Sequence, residues 1–278
     1  MITKRKIYIK SFGCQMNKLD TAMVSAALGK KGAEFVEDIE QAEIVLINTC
    51  SVRENAEKKV HSYLGYLKHL KENGKDIIVS VMGCMAQRLG DKLLEHESVD
   101  IVCGPAQISN IGNLIEQALK EKKRIVRVAE GKRGTATEED NLALEKFESI
   151  YDTSDKKIPG QAFVRAMRGC NNFCSYCIVP YVRGPEISRP PEYILKQVKR
   201  LADEGVKMVN LLGQTVNSYK YKAGEKTYNL ADLMNMVSEI DGIEWIRFVT
   251  NYPQKKYFKE IMKAMADNPK ICNYLHMC

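Results

Sequence analysis

Short apolar runs recur along the first half of the chain, and each is followed by a longer stretch with helical spacing. Lys6-Ile-Tyr-Ile-Lys-Ser-Phe-Gly13 alternates and is rich in β-formers, which predicts a strand ending at Cys14. Thr21 to Lys31 has helical spacing and closes on Gly32. Glu43-Ile-Val-Leu-Ile-Asn-Thr49 is the continuous apolar run of a buried parallel strand, and it ends at Cys50. Ser51 and Glu54 then form a capping box for a helix that runs to about Asn73, where Gly74 stops it. Asp76 to Met82 is a third such strand, ending at Gly83-Cys84. A helix, a short strand (Val99 to Cys103), a helix around Ile108 to Glu121 and a strand (Arg124 to Val128) complete a unit over residues 1–128.

Residues 129–160 mix charge with Gly, Thr and Ser and keep no apolar period, so they read as a linker with a helical turn around Leu142 to Phe147. Strand and helix signals alternate again over residues 161–278: a strand at Ala162 to Met167, a helix opened by Pro190-Pro191 and stopped by Gly205, and a strand at Val206 to Leu212. A helix capped by Asn229, a strand at Trp245 to Thr250, a helix at Lys256 to Met265 and a strand-like stub at Asn273 to Cys278 follow. The expected fold class is α/β: a parallel sheet with helices on both faces, followed by an incomplete (βα) barrel. Four strands cannot close a barrel, whose small forms need about eight.

Composition narrows the function classes. At 45% hydrophobic over 278 residues the chain can build a core. No apolar run reaches the ~18 residues of a membrane span, and the N-terminus lacks the apolar core of a signal peptide. Nine cysteines without such a signal point to cytoplasmic metal or redox ligands rather than disulfides. The net charge of +7 suits a polyanionic partner.

The cysteines fall into two sets. Cys170, Cys174 and Cys177 form a C-x3-C-x2-C run just after a strand. Three thiolates this close suit three irons of a cubane cluster and leave the fourth open for a ligand. A zinc knuckle or scattered buried thiols is the alternative, but zinc sites usually pair two Cys-x2-Cys or Cys/His units and no second pair lies nearby. Cys14, Cys50 and Cys84 are far apart in sequence, yet each ends a successive predicted strand. Ligands collect at that edge of a parallel sheet. Buried free cysteines are common, so Cys103, Cys272 and Cys278 are read as structural.

Six stretches carry a resemblance: Gly13-Cys-Gln-Met-Asn17, Asn48-Thr-Cys-Ser-Val-Arg-Glu-Asn-Ala56, Gly83-Cys-Met-Ala-Gln-Arg88, Arg168 to Pro180, Arg183-Gly-Pro-Glu-Ile-Ser-Arg-Pro190 and Leu212-Gly-Gln-Thr-Val-Asn-Ser-Tyr219. The chain resembles the methylthiotransferases of the radical-SAM (S-adenosylmethionine) superfamily. Gln15-Met16 and the Ser-Val-Arg-Glu-Asn run favour the branch that methylthiolates C2 of N6-dimethylallyladenosine in the anticodon loop of tRNA. Sibling branches act on threonylcarbamoyl-adenosine in tRNA or on a ribosomal protein. The resemblance implies an N-terminal methylthiotransferase domain and a radical-SAM partial barrel. It implies two [4Fe-4S] clusters, one on Cys170, Cys174 and Cys177 and an auxiliary one on Cys14, Cys50 and Cys84. Gly213 and Gln214 would contact SAM, while Arg183, Glu186 and Arg189 would serve SAM or substrate or form surface ion pairs. No side chain is assigned as catalytic, because the chemistry belongs to the cofactors. The implied partners are tRNA, an electron donor such as a flavodoxin or ferredoxin, and a sulfur donor, with the enzyme a cytoplasmic monomer.

Family members continue through further barrel strands and a small β-domain that grips tRNA, so this chain reads as truncated. Asn251-Tyr252-Pro253 also departs from the usual Ser-His-Pro. A noncatalytic metal- or tRNA-binding piece is the contrasting reading. There Lys120 to Arg124, Lys196 to Arg200 and Lys255 to Lys259 would contact phosphates, unless they are solvated helix faces.

Overall fold

A computed structural model describes residues 2–52, 54–131, 133–150 and 158–277. The chain forms two compact units, one of Met1–Tyr151 and Phe173–Gly184, the other of Asp152–Asn172 and Pro185–Cys278. Arg53, the Glu54 side chain of the expected capping box, Cys278 and residues 151–157 of the expected linker lie outside the described residues.

The first unit is built on six parallel strands: β1 (Lys6–Phe12), β2 (Glu34–Phe35), β3 (Ile44–Thr49), β4 (Ile78–Gly83), β5 (Ile101–Cys103) and β6 (Ile125–Arg127). Their spatial order is β2-β1-β3-β4-β5-β6. The helices are α1 (Gln15–Lys30), α2 (Glu54–Glu72), α3 (Cys84–Leu89), α4 (Ile111–Glu121), α5 (Glu138–Ile150) and the short α6 (Val179–Val182). Every residue of β3 is buried, as expected of a strand covered on both faces. Val45, Ile47, Val79, Val81 and Val102 pack with Val60, Leu64 and Leu67 of α2. The alternate residues Ile44 and Leu46 are equally buried and point the other way. There α1 lies on β1 and β3, and α4 on β4 and β5.

Three departures from expectation have physical causes. Helix α1 begins at Gln15, six residues before the apolar period suggests, because its buried stripe includes the polar Asn17 and Asp20. Strand β2 has two exposed residues at the sheet edge and so carries no apolar signature. The helical turn expected within the linker, around Leu142 to Phe147, extends to the thirteen-residue α5. Thr137 and Asp140 cap it reciprocally, and Leu144 and Phe147 are its buried anchors. Two apolar positions one turn apart are too few to register as a period.

In the second unit β7 (Gln161–Arg165) is followed by β8 (Met167–Arg168), β9 (Ile187–Ser188), β10 (Met208–Leu212), the pair β11 (Lys220–Ala223) and β12 (Lys226–Asn229), and β13 (Trp245–Phe248). A parallel sheet has the order β13-β10-β7, while β8–β9 and β11–β12 are antiparallel pairs. Helices α7 (Pro191–Asp203), α8 (Leu230–Ser238) and α9 (Phe258–Asp267) complete it. Val164, Val209, Leu211 and Phe248 form one core with Ile194, Val198, Leu233 and Ile261. Asn229 caps α8 as the sequence predicts, in a reciprocal box with Asp232. The expected fourth strand is reduced to two isolated bridges, Ile246 to Ile271 and Asn251 to Met277.

The packing of α2 yields a stability test. Leu64 is fully buried in the core of the first unit, so Leu64→Ala should cost roughly 2–5 kcal/mol and lower the urea midpoint. Leu142, 68% exposed on α5, should change stability by less than about 0.5 kcal/mol when replaced by Ala. Equal effects would mean that this core does not hold α2.

Candidate metal centre

The register of the first sheet aligns the three scattered cysteines. Phe12 pairs with Thr49, and Thr49 with Gly83, so β1, β3 and β4 end on one line. Just past that line Cys14 caps α1 in an extended conformation, Cys50 follows β3, and Cys84 opens α3. Cys50 and Cys84 are buried and Cys14 is half-buried.

A polar lattice holds this edge together. Asn17 and Asn48 are fully buried. The Asn17 amide donates to Asn48 Oδ1 at 2.7 Å and to the Thr49 carbonyl at 2.9 Å. The Asn48 amide returns bonds to the Asn17 carbonyl and to Thr21 Oγ1, both at 2.9 Å. Thr49 Oγ1 donates to the Met82 carbonyl at 2.7 Å, linking β3 to β4. Asn17 Oδ1 also accepts from the Cys14 backbone N–H at 3.3 Å and lies 3.4 Å from Cys14 Sγ. Buried polar groups are satisfied in this way or cost stability. Gly83 has φ +100, and a Cβ there would sit 2.4 Å from the Thr49 carbonyl oxygen and 2.7 Å from Asn48 Oδ1. A Cβ on Gly13 would lie 2.3 Å from Asn17 Oδ1. Glycine therefore brackets the lattice where the backbone comes closest.

A buried cation, Arg183, sits beside these thiols. Arg183 lies in the 173–184 segment of this unit. Its Nη2 donates to Asp20 Oδ2 at 2.9 Å and its Nε to Cys84 Sγ at 3.3 Å. The two paired side chains are only 6% and 2% exposed. Sequence reasoning offered Arg183 to SAM, to substrate or to a surface ion pair; here its pair with Asp20 is buried. A hydrogen bond from Cys50, aided by Arg183, lowers the Cys14 thiol to about 5. Cys50 is raised because it keeps the proton it donates to Cys14. Burial raises Cys84, against the pull of Arg183. Cys103 is pushed up to about 12 by burial, consistent with a structural thiol.

Soft thiolate donors in a buried site with a nearby cation suit an iron–sulfur cluster. Among the described residues no three His, Cys, Asp or Glu side chains converge on a single ion. A cubane asks for something else, since each thiolate meets its own iron. The three cysteines lie just past one register line of the sheet, each on its own strand exit.

The C-x3-C-x2-C run straddles the division between units, with Cys170 in the second and Cys174 and Cys177 in the first. The Cys177 N–H bonds to the Cys174 carbonyl at 2.9 Å. In the second unit, Asn172 approaches Cys170 Sγ through backbone and side-chain nitrogens at 3.5 Å. Gly213 follows β10 at its carboxyl end, and a Cβ there would lie 2.6 Å from the Met167 side chain. Gln214 Oε1 is buried without a hydrogen-bond partner among the described residues, an acceptor suited to a ligand's amino group. Glu186 accepts from Thr215 Oγ1 at 2.8 Å and Ser218 Oγ at 3.0 Å, beside Gln214 in the chain. Arg189 is buried and donates to the Arg165 carbonyl and Gln197 Oε1, a framing role. Of the basic runs, Arg124 braces the Val99 and His96 carbonyls, whereas Lys122 and Lys123 are exposed.

Sequence reasoning missed Asn17, Asp20 and Asn48 as organisers of the edge. Asn48→Ala removes partners from buried Asn17 and should cost about 1–3 kcal/mol. Asp20→Ala leaves Arg183 buried without its carboxylate and should cost about 3–5 kcal/mol. Asn73→Ala, at the exposed end of α2, should be near neutral. Denaturant midpoints of the three variants check the ranking, and a loss at Asn73 matching the others would refute it.

Two family profiles match the chain: the uncharacterized protein family UPF0004 over residues 6–104 and the radical SAM superfamily over residues 164–277. The chain is 38% identical to a tRNA-2-methylthio-N(6)-dimethylallyladenosine synthase of Rhodopirellula baltica, an alignment covering 100% of this chain and 58% of that protein. Proteins of the same name from Delftia acidovorans and Syntrophus aciditrophicus are 41% and 40% identical, with 98% and 99% of this chain covered and 59% and 57% of theirs. The chain thus spans less than two thirds of the length of these relatives. Among solved structures, the apo form of the cobalamin-dependent S-adenosylmethionine radical enzyme OxsB gives a TM-score of 0.57 at 15% identity, over 95% of this chain and 42% of that one. The radical S-adenosylmethionine methyltransferase TsrM from Kitasatospora setae gives 0.53 at 11% identity, over 99% and 69%. Such low identities speak for the fold alone. With both halves matched by profile and close relatives aligned along its whole length, the chain belongs to the radical SAM superfamily and carries a UPF0004 domain ahead of its radical SAM domain.

Proposed function

We propose that this chain is part of a tRNA methylthiotransferase that converts N6-dimethylallyladenosine in the anticodon loop to its 2-methylthio derivative. The carrying observation is the second set of cysteines, Cys14, Cys50 and Cys84, each just past the line on which β1, β3 and β4 end, in a chain that also holds a C-x3-C-x2-C run. A SAM-cleaving enzyme needs only the local run. A second cysteine set is what sulfur insertion adds. The names of the curated relatives supply the substrate class.

Cys170, Cys174 and Cys177 would hold one [4Fe-4S] cluster, and Cys14, Cys50 and Cys84 the auxiliary one. With SAM bound, these cofactors supply the sulfur, the methyl group and the radical that removes hydrogen from C2 of the adenine. The chain's own residues bind and orient. Gln214 Oε1, buried and unpartnered among the described residues, would accept from the SAM amino group. Gly213 leaves the backbone bare where a side chain would strike Met167. Glu186 is held by Thr215 and Ser218 and would fix the turn that carries Gln214. Arg183 balances negative charge beside Cys84. A flavodoxin- or ferredoxin-like donor would supply electrons and a separate donor the sulfur. No described helix is long and apolar enough to cross a membrane, and work on tRNA would take place in the cytoplasm.

Division of labour between the cysteine sets is the test. In the full-length enzyme, under strong reductant, Cys174→Ala should abolish 5′-deoxyadenosine formation. Cys50→Ala should leave it detectable while removing the methylthio-nucleoside. Normal methylthiolation by Cys50→Ala, or continued SAM cleavage by Cys174→Ala, would overturn the assignment.

A further inference from the structure

A cleft of about 450 Å³ opens between β1 and α2 in the first unit, lined chiefly by Phe12, Tyr63, Tyr66, Lys10, Lys58 and Lys59. It lies outside every residue assigned above. Three rings form a continuous surface, with Phe12 edge-on to Tyr63 and Tyr63 beside Tyr66, both at 5.9 Å between centroids. Tyr66 is 41% exposed, and the lysines are exposed. Lys59, Tyr63 and Tyr66 recur at i, i+4 and i+7, so cation and rings share one face of α2.

Rings separate this cleft from the larger one, of about 770 Å³, at the amino edge of the same sheet, which has no aromatic side chain among its described lining residues. The aromatic cleft sets Lys10, Lys58 and Lys59 beside Phe12, Tyr63 and Tyr66. Rings offer π-faces to bases, and lysines offer charge to phosphates. Together they make the stacking platform used for single-stranded nucleic acid.

We propose that this aromatic–lysine cleft binds single-stranded RNA, stacking an unpaired base on Tyr66 and Tyr63 while Lys10, Lys58 and Lys59 meet the flanking phosphates. The proposal rests on the tRNA reading above and deepens it. Phe12 is two residues from Cys14 on the same strand exit, so the cleft adjoins the edge that carries the auxiliary cysteines.

The test uses the full-length holoenzyme and an RNA hairpin with an anticodon stem-loop sequence, titrated by fluorescence anisotropy at several salt concentrations. Loss of one base stack should weaken binding about five- to a hundredfold in Tyr66→Ala. Tyr66→Trp should restore it, since stacking needs only a π-face. Lys59→Gln should flatten the slope of log K against log salt by about 0.7. Tyr66 and Lys59 are exposed, so both variants should keep the wild-type melting temperature. If the holoenzyme binds the hairpin but Tyr66→Ala and Lys59→Gln match it in affinity and slope, the cleft proposal is overturned and the tRNA reading stands. If the wild-type holoenzyme does not bind the hairpin, both fail.

Discussion

The reciprocal amide bonds between Asn17 and Asn48 are the interaction on which the proposed cluster site depends. They tie the first turn of α1 to the end of β3 inside a fully buried setting. Replacing both partners by apolar groups of the same shape need not cost stability. The bonds instead fix where three backbone exits lie, because Asn17 also reaches Cys14 and Asn48 crowds Gly83. Register does the rest: strands ending on one line put Cys14, Cys50 and Cys84 at one edge without any local sequence spacing.

Electrostatics follows from that crowding. Thiols gathered in a buried space resist ionising together, and the burial that raises Cys84 shows the cost. Arg183 offsets it by bonding to Cys84 while Asp20 holds the guanidinium from the other side. A buried pair of this kind is weak evidence for stability. Its value here is directional, since it keeps one cation beside sulfur. Asp20 lies on the same buried stripe of α1 as Asn17, so one helix face supplies both the lattice and the counter-charge.

The legible parts of the sequence were those with local signals. The buried strands, the Asn229 cap, the Gly205 stop and the C-x3-C-x2-C run all follow from neighbouring residues. The alignment of Cys14, Cys50 and Cys84 was legible one step further, through strand succession. The missed parts share a cause: polar residues doing buried work. Asn17 and Asp20 broke the apolar period of α1 and hid six residues of helix. The packing of Arg183 against Cys84, ninety-nine residues away, leaves no mark in either local stretch. Helix α5 was legible only as a turn around Leu142 to Phe147, because two buried side chains suffice to anchor it.

In the proposed enzyme the strand-end thiols form a metal centre separate from the local cysteine run. Mössbauer spectroscopy and iron analysis after anaerobic reconstitution test it most directly, with the full-length protein compared to a Cys14→Ala/Cys50→Ala/Cys84→Ala variant. About eight irons, as two cubane clusters, are expected in the first and about four in the second. A variant that kept both clusters, or a wild type that loaded only one, would contradict it.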